Sequence, residues 1–259
     1  MTNIIDYWIQ NLLHKQKAES KYELIYKEAL KENKNIIITG YKHNPSYSEL
    51  KEISIDNGNL NNFTSKLNNK SVVCLVAGCR GSGKTALSFR LLENIKSQTN
   101  RSMFAVGFPN QNLPNWINHA ETIDEIPNGS VVLWDEAGIT LNQTSTFNTV
   151  TRDVSNLLKI ARHKDLSLIF ISQNVGNLNL NVVRMIDIAF LLKDSLWQQF
   201  TDRGFIRKLY ENIKISEHPF DYSTNGQVYI IDSEFTGMMN FKLPSFWTSE
   251  ISKSFANSK

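Results

Sequence analysis

The run Gly78-Cys79-Arg80-Gly81-Ser82-Gly83-Lys84-Thr85 carries the spacing of a phosphate-binding loop, G-x-x-x-x-G-K-[ST], at every fixed position. The spacing has a physical reason. Glycines let the backbone curl so that successive N–H groups converge on phosphate oxygens. Lys84 then neutralises charge on the β- and γ-phosphates, and the Thr85 hydroxyl is a hard oxygen ligand for Mg²⁺. A helix opening at Lys84 aims its positive end at the same phosphates. All eight residues are therefore candidates for binding ATP, or another nucleoside triphosphate, with Mg²⁺.

A second cluster follows. Val131-Val-Leu-Trp-Asp135-Glu136 reads as a strand ending in two carboxylates. Asp135, like Thr85, is a candidate Mg²⁺ ligand, the Walker B role. Glu136, one residue on, leaves the backbone in another direction and is placed to polarise a water for attack on the γ-phosphate. Ser172-Gln173 ends a later strand, where the Gln173 amide can hydrogen-bond the γ-phosphate or that water. Arg162 closes the helix before that strand and is a candidate finger for a neighbouring subunit's nucleotide, with Arg152 and Arg203 as rivals. Each feature has a plainer reading. Two acids after a strand suit a solvated turn, a polar residue suits a strand end, and cations suit a helix C-terminus.

The elements that must position these residues are legible as a pattern. Ser71–Ala77, Ser102–Phe108, Ser130–Trp134, Ser167–Ser172, Asp187–Leu192 and Gln227–Asp232 read as short strands. Lys84–Ser97, Trp116–Ile123, Val150–His163 and Ser195–Ile213 read as helices between them, with Phe246–Phe255 as a terminal helix. Strands alternating with helices predict an α/β fold, a mainly parallel sheet with helices on both faces. Ligands bind such sheets at the carboxyl ends of the strands. Gly78, Asp135 and Gln173 each stand at or just past such an end. Upstream, residues 3–32 read as helix and Ile36–Thr39 as a short strand. Residues 40–70, rich in Asn, Ser and Lys, read as mostly loop with a short helix near Tyr47–Ile53. The expected division is an N-terminal, mostly helical extension over 1–69, a nucleotide-binding domain over 70–245 and a helical tail over 246–259.

Composition sets limits without choosing a partner. The chain has 259 residues, 41% hydrophobic and 20% charged, with a formal net charge of +3, which permits an anionic partner without demanding one. Its two cysteines, Cys74 and Cys79, fit neither a disulfide framework nor a zinc site, so a reducing compartment is expected, and cytoplasmic location with it. No run is long and apolar enough for a membrane span, and no secretory signal is visible.

Taken together, Gly78–Thr85, Leu133-Trp-Asp-Glu-Ala137 and Leu158–Asn174 resemble the FtsK–HerA superfamily of P-loop motors, over roughly residues 70–195. In that family an arginine-bearing helix end leads into a strand closing with Ser or Thr plus Gln, the positions of Arg162 and Ser172-Gln173. The small size suggests the viral genome-packaging and zonula occludens toxin-like branch. The resemblance implies a RecA-like P-loop NTPase of the ASCE type and a homo-oligomeric ring, often a hexamer. It also implies double-stranded DNA drawn through the centre and a possible capsid or assembly protein partner. Gly138–Asn148 and Asn174–Asn181 are the candidate DNA-facing loops. The competing expectation is a nucleotide-gated assembly, partition or replication-initiation ATPase answering to a protein partner. A small-molecule kinase is third, because the Asp135-Glu136 pair favours water as acceptor.

Overall fold

The computed structural model describes residues 41–106, 108, 113–120, 123–135, 154–172, 183–195, 204–248 and 251. The chain divides into two units, 1–38 and 39–259, and every described residue belongs to the second. The expected N-terminal helix and the strand at Ile36–Thr39 lie outside the described residues.

Among the described residues, nine strands form a single sheet. They are β1 (Lys51–Gly58), β2 (Val73–Ala77), β3 (Met103–Val106), β4 (Ile117–Asn118), β5 (Val131–Asp135), β6 (Ser167–Ser172), β7 (Ile188–Leu191), β8 (Gln227–Ile231) and β9 (Phe235–Asn240). The spatial order is β1-β9-β8-β7-β2-β6-β5-β3-β4. From β7 through β4 every pairing is parallel. From β7 outward through β8 and β9 to β1 every pairing is antiparallel. The parallel half carries the uninterrupted apolar runs, as it must when both faces are covered. VVLWD in β5 and SLIFIS in β6 are buried at every position.

The α-helices among the described residues are α1 (Leu60–Asn69), α2 (Lys84–Gln98), α3 (Val154–His163) and α4 (Gly204–Ile215). On one face, Cys74 and Val76 of β2 and Val131 and Leu133 of β5 pack with Leu87, Leu91 and Leu92 of α2 and Phe63 and Leu67 of α1. On the other, Val132, Trp134, Leu168 and Phe170 pack with Ala161 of α3. Beside them Leu75, Ala77 and Leu191 meet Ile206, Tyr210 and Ile213, one stripe of α4 at helical spacing.

α2 is buried on all sides, Ala86 through Ile95 included. Its outward side is covered by 46–48 and 242–245. The Arg90 guanidinium donates to the carbonyls of Ser46, Lys242 and Leu243 and pairs with Glu93 at 2.9 Å. The Glu93 carboxylate accepts from the backbone N–H and the hydroxyl of both Ser46 and Ser245. Asn94 closes a two-way amide pair with the Ser48 backbone at 2.9 and 2.8 Å.

Several regions differ from the sequence expectation, among them residues 246–248, which form a turn and an irregular stretch where the terminal helix Phe246–Phe255 was expected to begin. Residues 40–70 hold β1 and α1 where loop and a short helix at Tyr47–Ile53 were expected. β1 is an edge strand whose eight residues are all exposed or half-buried, so it lacks the apolar run that marks a central strand. α1 buries Phe63 and Leu67 and is capped by Asn59, whose side chain accepts from the amides of Asn61 and Asn62. The helix expected over Trp116–Ile123 is instead β4 followed by a 3₁₀ turn at Ile123–Glu125. There the apolar residues are drawn by two clusters on opposite sheet faces, Trp116 and Ile117 by one, Ala120 and Ile123 by the other. β9, which the sequence pattern did not signal, carries Gly237 opposite Ile55, where a Cβ would sit 2.3 Å from the Ser54 carbonyl oxygen.

Candidate active site

The loop between β2 and α2 curls as the glycine spacing requires. Gly78, Gly81 and Gly83 have φ of +155°, +79° and +98°, values that side-chain-bearing residues rarely adopt. A Cβ on Gly78 would meet the Ser82 hydroxyl at 2.8 Å and the Leu192 Cβ at 3.0 Å, whereas one on Gly81 would meet nothing within 4 Å. The loop is thus packed against the sheet at its start and open at its crest. Gly83 caps α2 with no side-chain hydrogen bond, leaving the helix's first amides to the loop's concave side. Lys84, 7% exposed, donates from Nζ to the carbonyls of Gly78 and Cys79 at 2.9 and 2.8 Å, so its ammonium lies within the curl. The Ser82 hydroxyl is buried there with no hydrogen-bond partner. Arg80 and Gly81 are exposed, and Cys79 and Thr85 are half-buried.

Asp135 ends β5 and is buried. Strand alternation puts it on the side of Val131 and Leu133, which is the α2 side. It pairs in register with Ile171 of β6, which pairs with Val76 of β2. Two strand spacings of about 4.8 Å therefore put its backbone roughly 10 Å from β2. Thr85, in the first turn of α2, and Asp135 thus share one face and one edge of the sheet. A hydroxyl and one carboxylate suit Mg²⁺, which takes few protein ligands and completes its shell with phosphates and water. Among the described residues no group of three or more His, Cys, Asp or Glu side chains could hold a metal.

One strand, β6, stands between the phosphate-loop strand β2 and the acidic strand β5, in the run β7-β2-β6-β5-β3. The fold is that of a RecA-like P-loop NTPase. The chain is also similar to several solved structures, each at low sequence identity. It is similar to the genome-packaging NTPase of Sulfolobus turreted icosahedral virus 2 in complex with ATP-gammaS, at 15% identity over 68% of this chain and 100% of that one, with a TM-score of 0.47. It is similar to ATPases 2 and 3 of EssC from Geobacillus thermodenitrificans, at 10% identity over 85% of this chain and 50% of that one, TM-score 0.46. The N-terminal domain of zonular occludens toxin from Neisseria meningitidis matches at 12% identity over 71% of this chain and 98% of that one, TM-score 0.36. No protein-family model matches the chain, and no curated protein matches it.

The remaining expected residues divide by position. Glu136 and Gln173 directly follow the ends of β5 and β6 and lie outside the described residues, as do Arg152, Arg203 and the loops Gly138–Asn148 and Asn174–Asn181. Arg162 is exposed in the last turn of α3. α3 leads into the amino end of β6, so Arg162 stands at the sheet edge opposite Asp135 and does not join the loop within one subunit. Among the described residues no helix is long and apolar enough to cross a membrane.

Sequence reasoning missed the far side of the loop. The Cys79 amide donates to the Lys193 carbonyl at 2.8 Å, tying the loop to the end of β7. Lys193 and Asp194 are both buried. The Lys193 ammonium donates to the carbonyls of Tyr222 and Thr224, and the Tyr222 hydroxyl donates to the Asp194 carboxylate. Lys214 of α4 stands 3.6 Å from the same carboxylate. Burial and Asp194 push the Tyr222 phenol upward, so it stays protonated and donates. The available signal was Lys193-Asp194, a charged pair directly after a buried strand on the binding edge.

Proposed function

We propose that this chain is a magnesium-dependent ATPase acting as an oligomeric motor on double-stranded DNA. The observation that carries the ATPase reading is the glycine-curled loop with the Lys84 ammonium inside it, facing a sheet edge that ends in Asp135. The loop amides and Lys84 bind the triphosphate. Thr85 and Asp135 would hold Mg²⁺, which supplies charge neutralisation on the β- and γ-oxygens. Glu136 takes the proton of the attacking water, and Gln173 orients that water or the γ-phosphate. Arg162 serves the nucleotide of the adjoining subunit. The motor reading is supported by the resemblance of the Gly78–Thr85, Leu133–Ala137 and Leu158–Asn174 motifs to the FtsK–HerA superfamily.

The test is ATP turnover with and without long linear duplex DNA across a salt series. Turnover is expected, stimulated by DNA, with stimulation fading as salt rises because phosphate contacts release counterions. Glu136→Gln should keep ATP binding and lose turnover by about a hundredfold or more. No turnover under any condition refutes the ATPase. Turnover that DNA leaves unchanged at every salt concentration selects a nucleotide-gated assembly ATPase, a reading with which a net charge of +3 is compatible.

A further inference from the structure

The residues that grip the far side of the phosphate loop also hold an aromatic ring beside it. Tyr222 is a large aromatic with 53% of its surface exposed, yet it is tethered at both ends. Its carbonyl accepts from the buried Lys193 ammonium at 3.3 Å, and its hydroxyl donates to the buried Asp194 carboxylate. Lys193 in turn accepts the Cys79 amide of the loop at 2.8 Å. One residue therefore links the ring's anchor to the phosphate loop. The turn bearing the ring is itself fixed. The Asp221 carboxylate accepts from the Ser223 amide at 2.8 Å and from its hydroxyl, and the Asp221 amide donates to Gln227. A ring held still in solvent presents a flat apolar face whose ordering entropy is already lost on folding.

The sheet order gives that ring a direction. β6 and β5, leading to Asp135, lie on one side of β2, while β7, leading to Lys193 and Asp194, lies on the other. A triphosphate whose γ-end is drawn toward Asp135 leaves the loop at its nucleoside end on the β7 side. We infer that Tyr222 is the stacking platform for the purine base of the bound nucleotide, with Lys193 and Asp194 as its positioning residues. The inference rests on the ATP-binding reading above and names the part of the ligand that the loop itself does not read.

Two ligands separate the inferences. Binding of Mg·ATP and of magnesium with inorganic tripolyphosphate is measured for the unaltered chain, Tyr222→Ala and Tyr222→Phe. The expected result is roughly tenfold weaker ATP binding in Tyr222→Ala, the size of a lost base–aromatic stack, with tripolyphosphate binding unchanged. Tyr222→Phe, which keeps the ring and the backbone tether to Lys193 but loses the hydroxyl tether to Asp194, should bind ATP with an affinity between those of the unaltered chain and Tyr222→Ala. Equal ATP affinity in Tyr222→Ala overturns the platform. So does an equal loss for both ligands, because the turn then only braces the loop. If the unaltered chain binds neither ligand, the phosphate-loop reading fails and the platform with it.

Discussion

At the scale of single residues, Gly78 and Gly81 sit in the same curl, and substitution should separate their roles. At Gly81 the φ of +79° disfavours a side chain, but a Cβ meets nothing within 4 Å. Alanine there costs about 1–2 kcal/mol for the left-handed conformation. On the proposed reading, the added methyl stands on the open side of the loop that a phosphate approaches. At Gly78 the methyl collides with Ser82, Leu192 and the Lys193 carbonyl, so the disturbance passes into the sheet. Gly81→Ala should therefore fold with a slightly lowered melting temperature and lose the stabilisation that Mg·ATP gives, while Gly78→Ala should lose more stability before any ligand is added. Thermal unfolding with and without Mg·ATP checks both, and a larger ligand-free loss in Gly81→Ala would contradict the packing. The cysteines give an independent reading of the same loop. Cys74 is fully buried in β2 and burial pushes its thiol pKa up, whereas Cys79 is half-buried in the curl. Iodoacetamide should label Cys79 and spare Cys74 in the folded chain. Mg·ATP should slow that labelling, as peptide mass spectrometry would reveal.

At the scale of elements, α2 is held by ionic contacts as well as by apolar ones. Arg90, 3% exposed, and Glu93, wholly buried, satisfy each other and the backbone of both covering segments. Breaking a buried pair from one side leaves an uncompensated charge, at about 3–5 kcal/mol. Arg90→Ala and Glu93→Ala should each lose that much in urea unfolding, and the double substitution should lose less than their sum. Additive losses would mean that each side chain acts only through the backbone it touches. None of this was legible in the sequence, where Arg90 and Glu93 look like the polar face of an amphipathic helix. The strands β2, β3, β5 and β6 were legible because a strand buried on both faces must be an apolar run, and the loop was legible because curling around phosphate demands glycine at fixed offsets. β1 and α1 were not. An edge strand needs no apolar run, and α1 buries only Phe63 and Leu67. Likewise Lys193, Asp194 and Tyr222 meet through pairing of β7 with β8, a contact that no local spacing encodes.

At the scale of the whole molecule, the sheet has one edge bearing the phosphate loop and Asp135 and an opposite edge bearing the exposed Arg162. A side chain at the wrong edge of its own subunit can reach a nucleotide only across a heterologous contact, the kind that closes rings. That geometry makes the finger assignment testable by mixing. Lys84→Ala cannot use its own site but still carries Arg162, and Arg162→Ala keeps an intact loop but offers its neighbour nothing. Each alone should hydrolyse ATP poorly. Mixed in equal amounts before assembly, about a quarter of the interfaces pair an intact loop with an intact arginine by random association, and turnover should return toward that fraction. Recovery that grows with protein concentration would tie it to assembly. If Arg162→Ala alone keeps full turnover, the arginine is a cation at a helix C-terminus, where the helix dipole favours one without any partner. If both variants are inactive and their mixture stays inactive while assembled, Arg162 acts within its own subunit, against the position that α3 gives it.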